Sequence, residues 1–374
     1  MNFNIFKNKE MAKDLERTGY SEKDRSAKSF IINSSTYISQ TSQTGLEIMT
    51  ISDAIKNVPD FLDRYYFRNV RFDQDEITSR MAGMNNPVGL FIHVLEGARI
   101  VLPCQLSVYM DELKKDQYVH SVIVVEDDAS VQLISGCAGN IASGKSAHYS
   151  VEEIYIGNNC QFTQIMLHNW QSPDIEVSMH SATVVEKNST YVNTYISLHP
   201  PKSLNSRPTV SLNGHNSSAI LKSVVLCKDH SNLDIGGEVV LRGADSNAQL
   251  LHRGICAGGS LLQGGMVRGY NRCKGHVDCA GMILDTDHGG EIESVPGISA
   301  VNSEAQLSHE ASIGRIAPQQ VEYLMSRSVD EQTAISLMIG GFIGDDIMNL
   351  PFSLKKEVDS IASIAGHQEQ TKRS

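Results

Sequence analysis

The residues most able to do chemistry are a phosphate-loop string and seven cysteines. Gly139-Asn-Ile-Ala-Ser-Gly144-Lys145-Ser146 matches the Gly-x4-Gly-Lys-Ser/Thr pattern letter for letter, and Met282-Ile-Leu-Asp285 fits the apolar strand and Asp that accompany it. Such a loop works only where a strand enters and a helix leaves, so that backbone N–H groups and the helix N-terminus cradle phosphate. The exit here, Ala147-His-Tyr-Ser-Val-Glu-Glu-Ile-Tyr-Ile, is rich in β-branched and aromatic residues and reads as another strand. The string is therefore taken as a Gly/Ser loop between strands, with no nucleotide bound by this chain, and Asp285 as one more corner. The cysteines, at 104, 137, 160, 227, 256, 273 and 279, are odd in number and scattered. No CxxC and no paired zinc spacing occurs among them. In a reducing compartment most of them, Cys227 and Cys256 included, are expected to be buried thiols, and any exception has to be argued individually.

The elements that position these residues are mainly β. At 374 residues the chain exceeds one small core, and about 100 to 200 residues per domain gives two or three structural units. Aromatic content of 6% with 29 glycines points to many short strands and tight turns. A net charge of -11 without a basic stripe argues against broad binding to nucleic acid or an anionic membrane, which needs clustered Lys and Arg. The apolar stretch 334–344 falls well short of the roughly 18 residues that span a bilayer. Lys7, Lys9, Lys13 and Arg17 are mixed with Glu10, Asp14 and Glu16, with no apolar signal segment. A cytoplasmic location is expected.

Three regions follow. Residues 1–88 read as a polar start, a Ser/Thr-rich linker over 33–44, and a helical piece for which Thr50 to Asp53 offer N-cap residues. From residue 89 the pattern alternates, and a strand followed by an Asn or Asp turn recurs at Asp128, Asn159, Asn188, Asn216, Asp245, Asn271 and Asn302. The successive differences are 31, 29, 28, 29, 26 and 31. That period predicts a solenoid over 89–316, each coil stacked on the last, with Asn and Asp at corners because they tolerate the left-handed conformation. Residues 317–374 turn helical: Pro318 opens one helix, Ser328-Val-Asp-Glu331 forms a capping box for a second, and a third starts near Ser353 before a polar tail. These helices are expected to cap the last coil, whose edges would otherwise stand open.

Several ordered segments resemble one family. Arg272-Cys273-Lys274-Gly275-His276-Val277-Asp278-Cys279 followed by Ile283-Leu284 is similar to the cysteine-bearing strand of SufB. Ile134-Ser-Gly-Cys137-Ala138 stands where that family has a Gly-Cys turn, and His168-Asn169-Trp170 where it commonly has Gln-Asn-Trp. Gly258-Gly259 through Val267-Arg268-Gly269 also matches. Ala305-Gln306-Leu307-Ser308-His309-Glu310-Ala311, Tyr323 to Arg327 and Gly341-Phe342-Ile343 resemble its downstream segments. Over about 89–345 the chain thus resembles the SufB/SufD family, the scaffolds of SUF-type iron-sulfur cluster assembly. The resemblance implies a right-handed parallel β-helix with helical ends, a homodimer through the β-helices, and a SufC-like ABC ATPase bound by the C-terminal helices. It also implies a sulfur donor, recipient apoproteins and a transient cluster, of 4Fe–4S type, with no catalytic site of the chain's own. His168 in place of Gln, Ser308 in place of Glu, and 295–299 depart from the family pattern. A SufD-like partner subunit and a β-helical small-molecule enzyme are the competing readings.

On this resemblance Cys279 is the candidate cluster ligand, since a thiolate is the soft donor that iron-sulfur chemistry uses. Lys274 and His276 would lower its pKa, but alternate positions on a strand point to the opposite face. Cys273 shares the parity of Cys279 and is a second candidate thiol, its plainer role being structural. His309 and Glu310 follow Cys279 by 30 and 31 positions, about one coil, so either stands ready to project beside it as a metal ligand. Being adjacent, they face opposite sides. The apolar stripe Ala334, Ile335, Met338 and Ile339 suits the groove of a partner ATPase or packing against the end of the β-helix.

Overall fold

The computed structural model describes residues 9–40, 43–111, 115–139, 145–170, 174–284 and 289–344. From strand Cys104–Met110 onward the chain alternates between two ten-stranded sheets, and successive rungs within each sheet pair in parallel. The result is a parallel β-solenoid of about 7 turns. Each strand sends alternate side chains inward. Leu133, Ile154, Leu221, Leu250, Leu261 and Val277 meet between the sheets in one continuous core.

The corners explain the period. Asp128, Asn159, Asn188, Asn216 and Asp245 all adopt the left-handed conformation, with φ between 57° and 61°. Their side chains stack: Asn159 Nδ2 donates to Asp128 Oδ1 at 3.0 Å, Asn188 Nδ2 to Asn159 Oδ1 at 3.0 Å, and Asn216 Nδ2 to Asn188 Oδ1 at 3.2 Å. Asn271 and Asn302 turn their corners by other means. Asn302 Oδ1 accepts the Glu304 N–H at 2.8 Å, and Asn271 Nδ2 donates to the Arg242 carbonyl at 3.2 Å. The exit of the phosphate-loop string is strand Ser146–Ile156, with no helix to complete a cradle. Residues 140–144 of that string and Asp285 lie outside the described residues.

The N-terminal region departs from the linker expected over 33–44. Ala27–Ile32 and Ser35–Gln40 form an antiparallel hairpin, and the first of these strands pairs in parallel with Cys104–Met110. Thr36, Tyr37 and Ile38 are good strand residues whose polar neighbours mask the pattern. Helix Ile51–Asn57, N-capped by Thr50, and the short helices Phe61–Arg64 and Glu76–Ala82 cover the outer face of the second sheet. Phe61 and Tyr65 pack there on Phe91, Val122 and Val124. Beneath them the buried carboxyl of Glu153 accepts the backbone N–H groups of Phe67, Arg68 and Asn69 at 2.6–2.7 Å and that of Val70 at 3.2 Å. The imidazole of His120 lies 3.0 Å from the same group. Glu153→Gln turns an amide N–H2 against these donors, and about 2 kcal/mol of stability is expected to be lost. Urea unfolding checks this, and an unchanged midpoint would mean that apolar contacts alone hold the segment.

The C-terminal helices Pro318–Met325 and Glu331–Ile343 do not close the last coil. Ile339 and Ile343 are buried with Ile165, Leu167, Ile196, Val224 and Ile255, on the outer face of the first sheet. The capping residue of the second helix is Asp330, whose side chain accepts the Thr333 N–H, two residues later than the expected box start at Ser328. The helix expected near Ser353 lies outside the described residues. No described helix is long and apolar enough to cross a membrane.

Candidate functional site

Cys279 sits on strand Cys273–Ile283, the last but one rung of the first sheet. It faces the core and has no solvent exposure. Burial, with the Asp278 carboxylate adding and Arg253 opposing, pushes its thiol up to about 12. In register with it stand His252 on the preceding rung and Ala311 on the last.

The register separates the two downstream candidates. His309 is opposite Val277, a core position, so it shares the face of Cys279 and is exposed because no described rung follows. Glu310 is opposite Asp278 and projects outward, 67% exposed at the side chain, with Oε1 3.7 Å from His276 Nε2. His276 Nδ1 lies 2.9 Å from Ser308 Oγ. Lys274 and His276 therefore belong to the outer surface and do not reach the Cys279 thiol. Cys273 does share the core-facing side, where burial raises its thiol. Six residues of extended chain, about 20 Å, separate it from Cys279, so it belongs to a different layer of the core. Among the described residues no group of three or more His, Cys, Asp or Glu side chains could hold a metal ion. What the described residues present is a core thiol one rung from the last described strand, an imidazole beyond it on the same face, and a carboxylate on the other.

The interior carries more polar chemistry than the spacing of single motifs indicates. Cys137 is in register with His168, as Cys279 is with His252, so two core cysteines each have a histidine on the adjacent rung. His168 Nδ1 is 3.0 Å from the Tyr195 hydroxyl and 3.3 Å from Trp170 Nε1. His252 Nδ1 is 2.7 Å from Ser223 Oγ, while its Nε2 is buried without a hydrogen-bond partner. Burial lowers His168 to about 3 and His252 to about 4, so both rings are neutral near pH 7. A cavity of about 40 Å³ runs between the sheets, lined by Glu152, Ser181, Asn193, Tyr195, Ser223 and His252. Burial raises Glu152 to about 7, although Gln164 and Ser181 hydrogen-bond its carboxyl. His252 precedes Cys279 by 27 positions, and applying the coil period backwards from the cysteine would have found it.

The Gly136-Cys137 segment is no turn but the middle of strand Ser130–Gly139. Glycine is required there because a Cβ would lie 2.4 Å from the Thr18 carbonyl, where the end of helix Lys9–Arg17 crosses the sheet.

Comparison with known proteins bears on this arrangement. Residues 108–342 match the family model described as SUF system FeS cluster assembly, SufBD core domain. A SufBD family protein of Archaeoglobus fulgidus is 32% identical, the alignment covering 92% of this chain and 89% of that one. The chain belongs to the SufBD family. A SufBD protein of Methanothermobacter thermautotrophicus is 31% identical over 93% of this chain and 86% of its own. The assembly protein SufB of Bacillus subtilis is 25% identical over 76% and 62% respectively. The matched region of this SufBD chain takes in Cys137, His168, Cys279, His309 and Glu310. Membership ties the chain to iron-sulfur cluster assembly.

Proposed function

We propose that this SufBD chain is a scaffold subunit on which a nascent iron-sulfur cluster is assembled, closer in role to SufB than to SufD. The observation that carries the reading is Cys279, a core thiol one rung from the last described strand, with His309 on its face of that strand. The cluster, of 4Fe–4S type, is cargo. Cys279 supplies a soft thiolate once metal displaces its proton, and His309 or Glu310 supplies a borderline or hard donor. The edge strands Glu291–Ala300 and Gln306–Arg315 have no further partner among the described residues, and Val295, Ile298 and Ile313 are exposed on them. Pairing of these edges across a twofold axis would extend both sheets and bring two ligand sets together, giving a homodimer. The seven cysteines are unbridged, as suits the cytoplasm. Sulfur donor and recipient apoproteins are further partners.

The ATPase reading needs a different surface from the stripe Ala334, Ile335, Met338 and Ile339. That stripe is turned to the chain's own sheet, with Ala334 and Ile339 buried. Tyr323, Met325 and Leu337, 43–59% exposed, remain for a SufC-like ABC ATPase. Leu337→Asp with Tyr323→Ala is expected to weaken co-purification with the ATPase at least tenfold without moving the melting temperature. Retention at the wild-type level would place the contact elsewhere. The assembly role itself is tested by the iron and acid-labile sulfide that the complex carries when purified without oxygen.

A further inference from the structure

Cys227 and Cys256 take no part in the site described above. They occupy matching positions on the adjacent parallel strands Ser218–Lys228 and Ser246–Ala257, and both are fully buried in the core. Neighbouring strands run about 4.8 Å apart, inside the Cα separation of 4.4 to 6.8 Å that a disulfide accepts. In register across the two rungs, the thiols are direct neighbours. Cys256 Sγ also lies 3.1 Å from the Gly258 carbonyl, and Cys227 Sγ 3.5 Å from that of Ser260. Glycines make room for the pair. A Cβ at Gly290 would lie 2.7 Å from Cys256 Sγ, and one at Gly259, which has φ 72°, would lie 3.1 Å from Cys227 Sγ.

The contact is asymmetric. The neighbouring Cys227 thiol lowers Cys256 below the usual thiol value in spite of burial, and the same neighbour together with burial pushes Cys227 up. A thiolate beside a protonated thiol is the arrangement of a nucleophile and its resolving partner. Burial raises Cys104 to about 11 and Cys137 and Cys279 to about 12, which leaves those three as thiols.

We propose that Cys227 and Cys256 form a two-electron dithiol site that reduces hydrogen peroxide and closes as a reversible disulfide across two rungs. The Cys256 thiolate attacks one peroxide oxygen, the O–O bond breaks, and the leaving hydroxide takes up a proton to become water. Cys256 is now a sulfenic acid. The Cys227 sulfur attacks the Cys256 sulfur, the S–O bond breaks, and the second oxygen leaves as water with the Cys227 proton. Two thiols and one peroxide give one disulfide and two waters, both sulfurs oxidised and both oxygens reduced. Both sulfurs are fully buried, so the oxidant class proposed is a small neutral peroxide rather than a bulky charged disulfide. The site does not depend on the assembly reading.

The experiment exposes the reduced full-length chain to excess hydrogen peroxide, then denatures it, alkylates free thiols and measures intact mass and peptides. The expected product has five alkylated cysteines, the chain's seven less the bridged pair, with one cross-linked peptide joining Cys227 to Cys256. Dithiothreitol restores seven. In Cys227→Ser, where the resolving thiol is gone, a sulfenic-acid-specific dione is expected to label Cys256. Seven alkylated cysteines in the peroxide-treated wild type, or a bridge between any other pair, overturns the proposal.

Discussion

Cys279→Ser is expected to take up no iron-sulfur cluster, while the folded chain and its ATPase complex persist. Serine matches the thiol in size but offers a hydroxyl whose proton metal displaces far less readily. Cysteine packs here as a small hydrophobe, so the exchange costs about 1–2 kcal/mol, less than the stability of an ordinary domain. The unloaded wild-type thiol, pushed up to about 12, is protonated at neutral pH, so binding a metal releases a proton. Loading of the wild type is therefore expected to strengthen as pH rises from 6 to 8. His309→Ala should lower iron and sulfide content more than Glu310→Ala, because His309 shares the face of Cys279 and Glu310 does not. Anaerobic reconstitution with ferrous iron and sulfide, followed by absorbance of the thiolate-to-iron bands, measures all three. Wild-type loading in Cys279→Ser moves the site elsewhere, and a greater loss in Glu310→Ala moves it to the outer face.

Acid is expected to unfold the solenoid well above the carboxylate range. Burial lowers His148 to about 4, His168 to about 3 and His252 to about 4, against an unfolded value of 6.5. Below pH 6.5 the unfolded chain binds protons that the folded chain refuses. Stability is thus present above 6.5 and falls with pH, by about 1.4 kcal/mol per unit for each ring. Glu152 runs the other way. Its raised value of about 7, against 4.5 unfolded, keeps a proton on the folded state, so between 4.5 and 7 it favours folding as pH falls. Burial likewise lowers His199 to about 4, so four rings against one carboxyl leave a net loss of roughly 4 kcal/mol per unit between pH 6.5 and 4.5. A stability of about 5–15 kcal/mol does not survive that window with much margin. Urea midpoints measured from pH 7 to 4.5 should fall steeply, and His168→Gln should flatten the slope by about 1.4 kcal/mol per unit. Midpoints independent of pH over this range would contradict the buried neutral histidines.

The period of the solenoid was legible because a left-handed corner restricts its residue, and Asp128 through Asp245 show the restriction directly. The one-coil step from Cys279 to His309 and Glu310 follows from that period. The face each presents needed the register, where a shift of one residue exchanges core and solvent. Helix Glu331–Ile343 shows a different limit: an apolar stripe requires burial but does not name the surface that buries it. Here the chain's own sheet does so. The hairpin of 27–40 was hidden because its Ser and Thr residues serve a strand as readily as a loop. His252 was within reach of the period, one coil before Cys279, whereas Glu152 leaves no periodic trace because its partners Gln164 and Ser181 define it.

The central claim rests most directly on the metal content of the native complex. Purified without oxygen together with its cognate ATPase, the wild-type chain is expected to carry iron and acid-labile sulfide in nearly equal amounts, both absent from Cys279→Ser. A stable complex of wild-type chain and ATPase that holds neither, under conditions where cluster assembly proceeds in the cell, would contradict it.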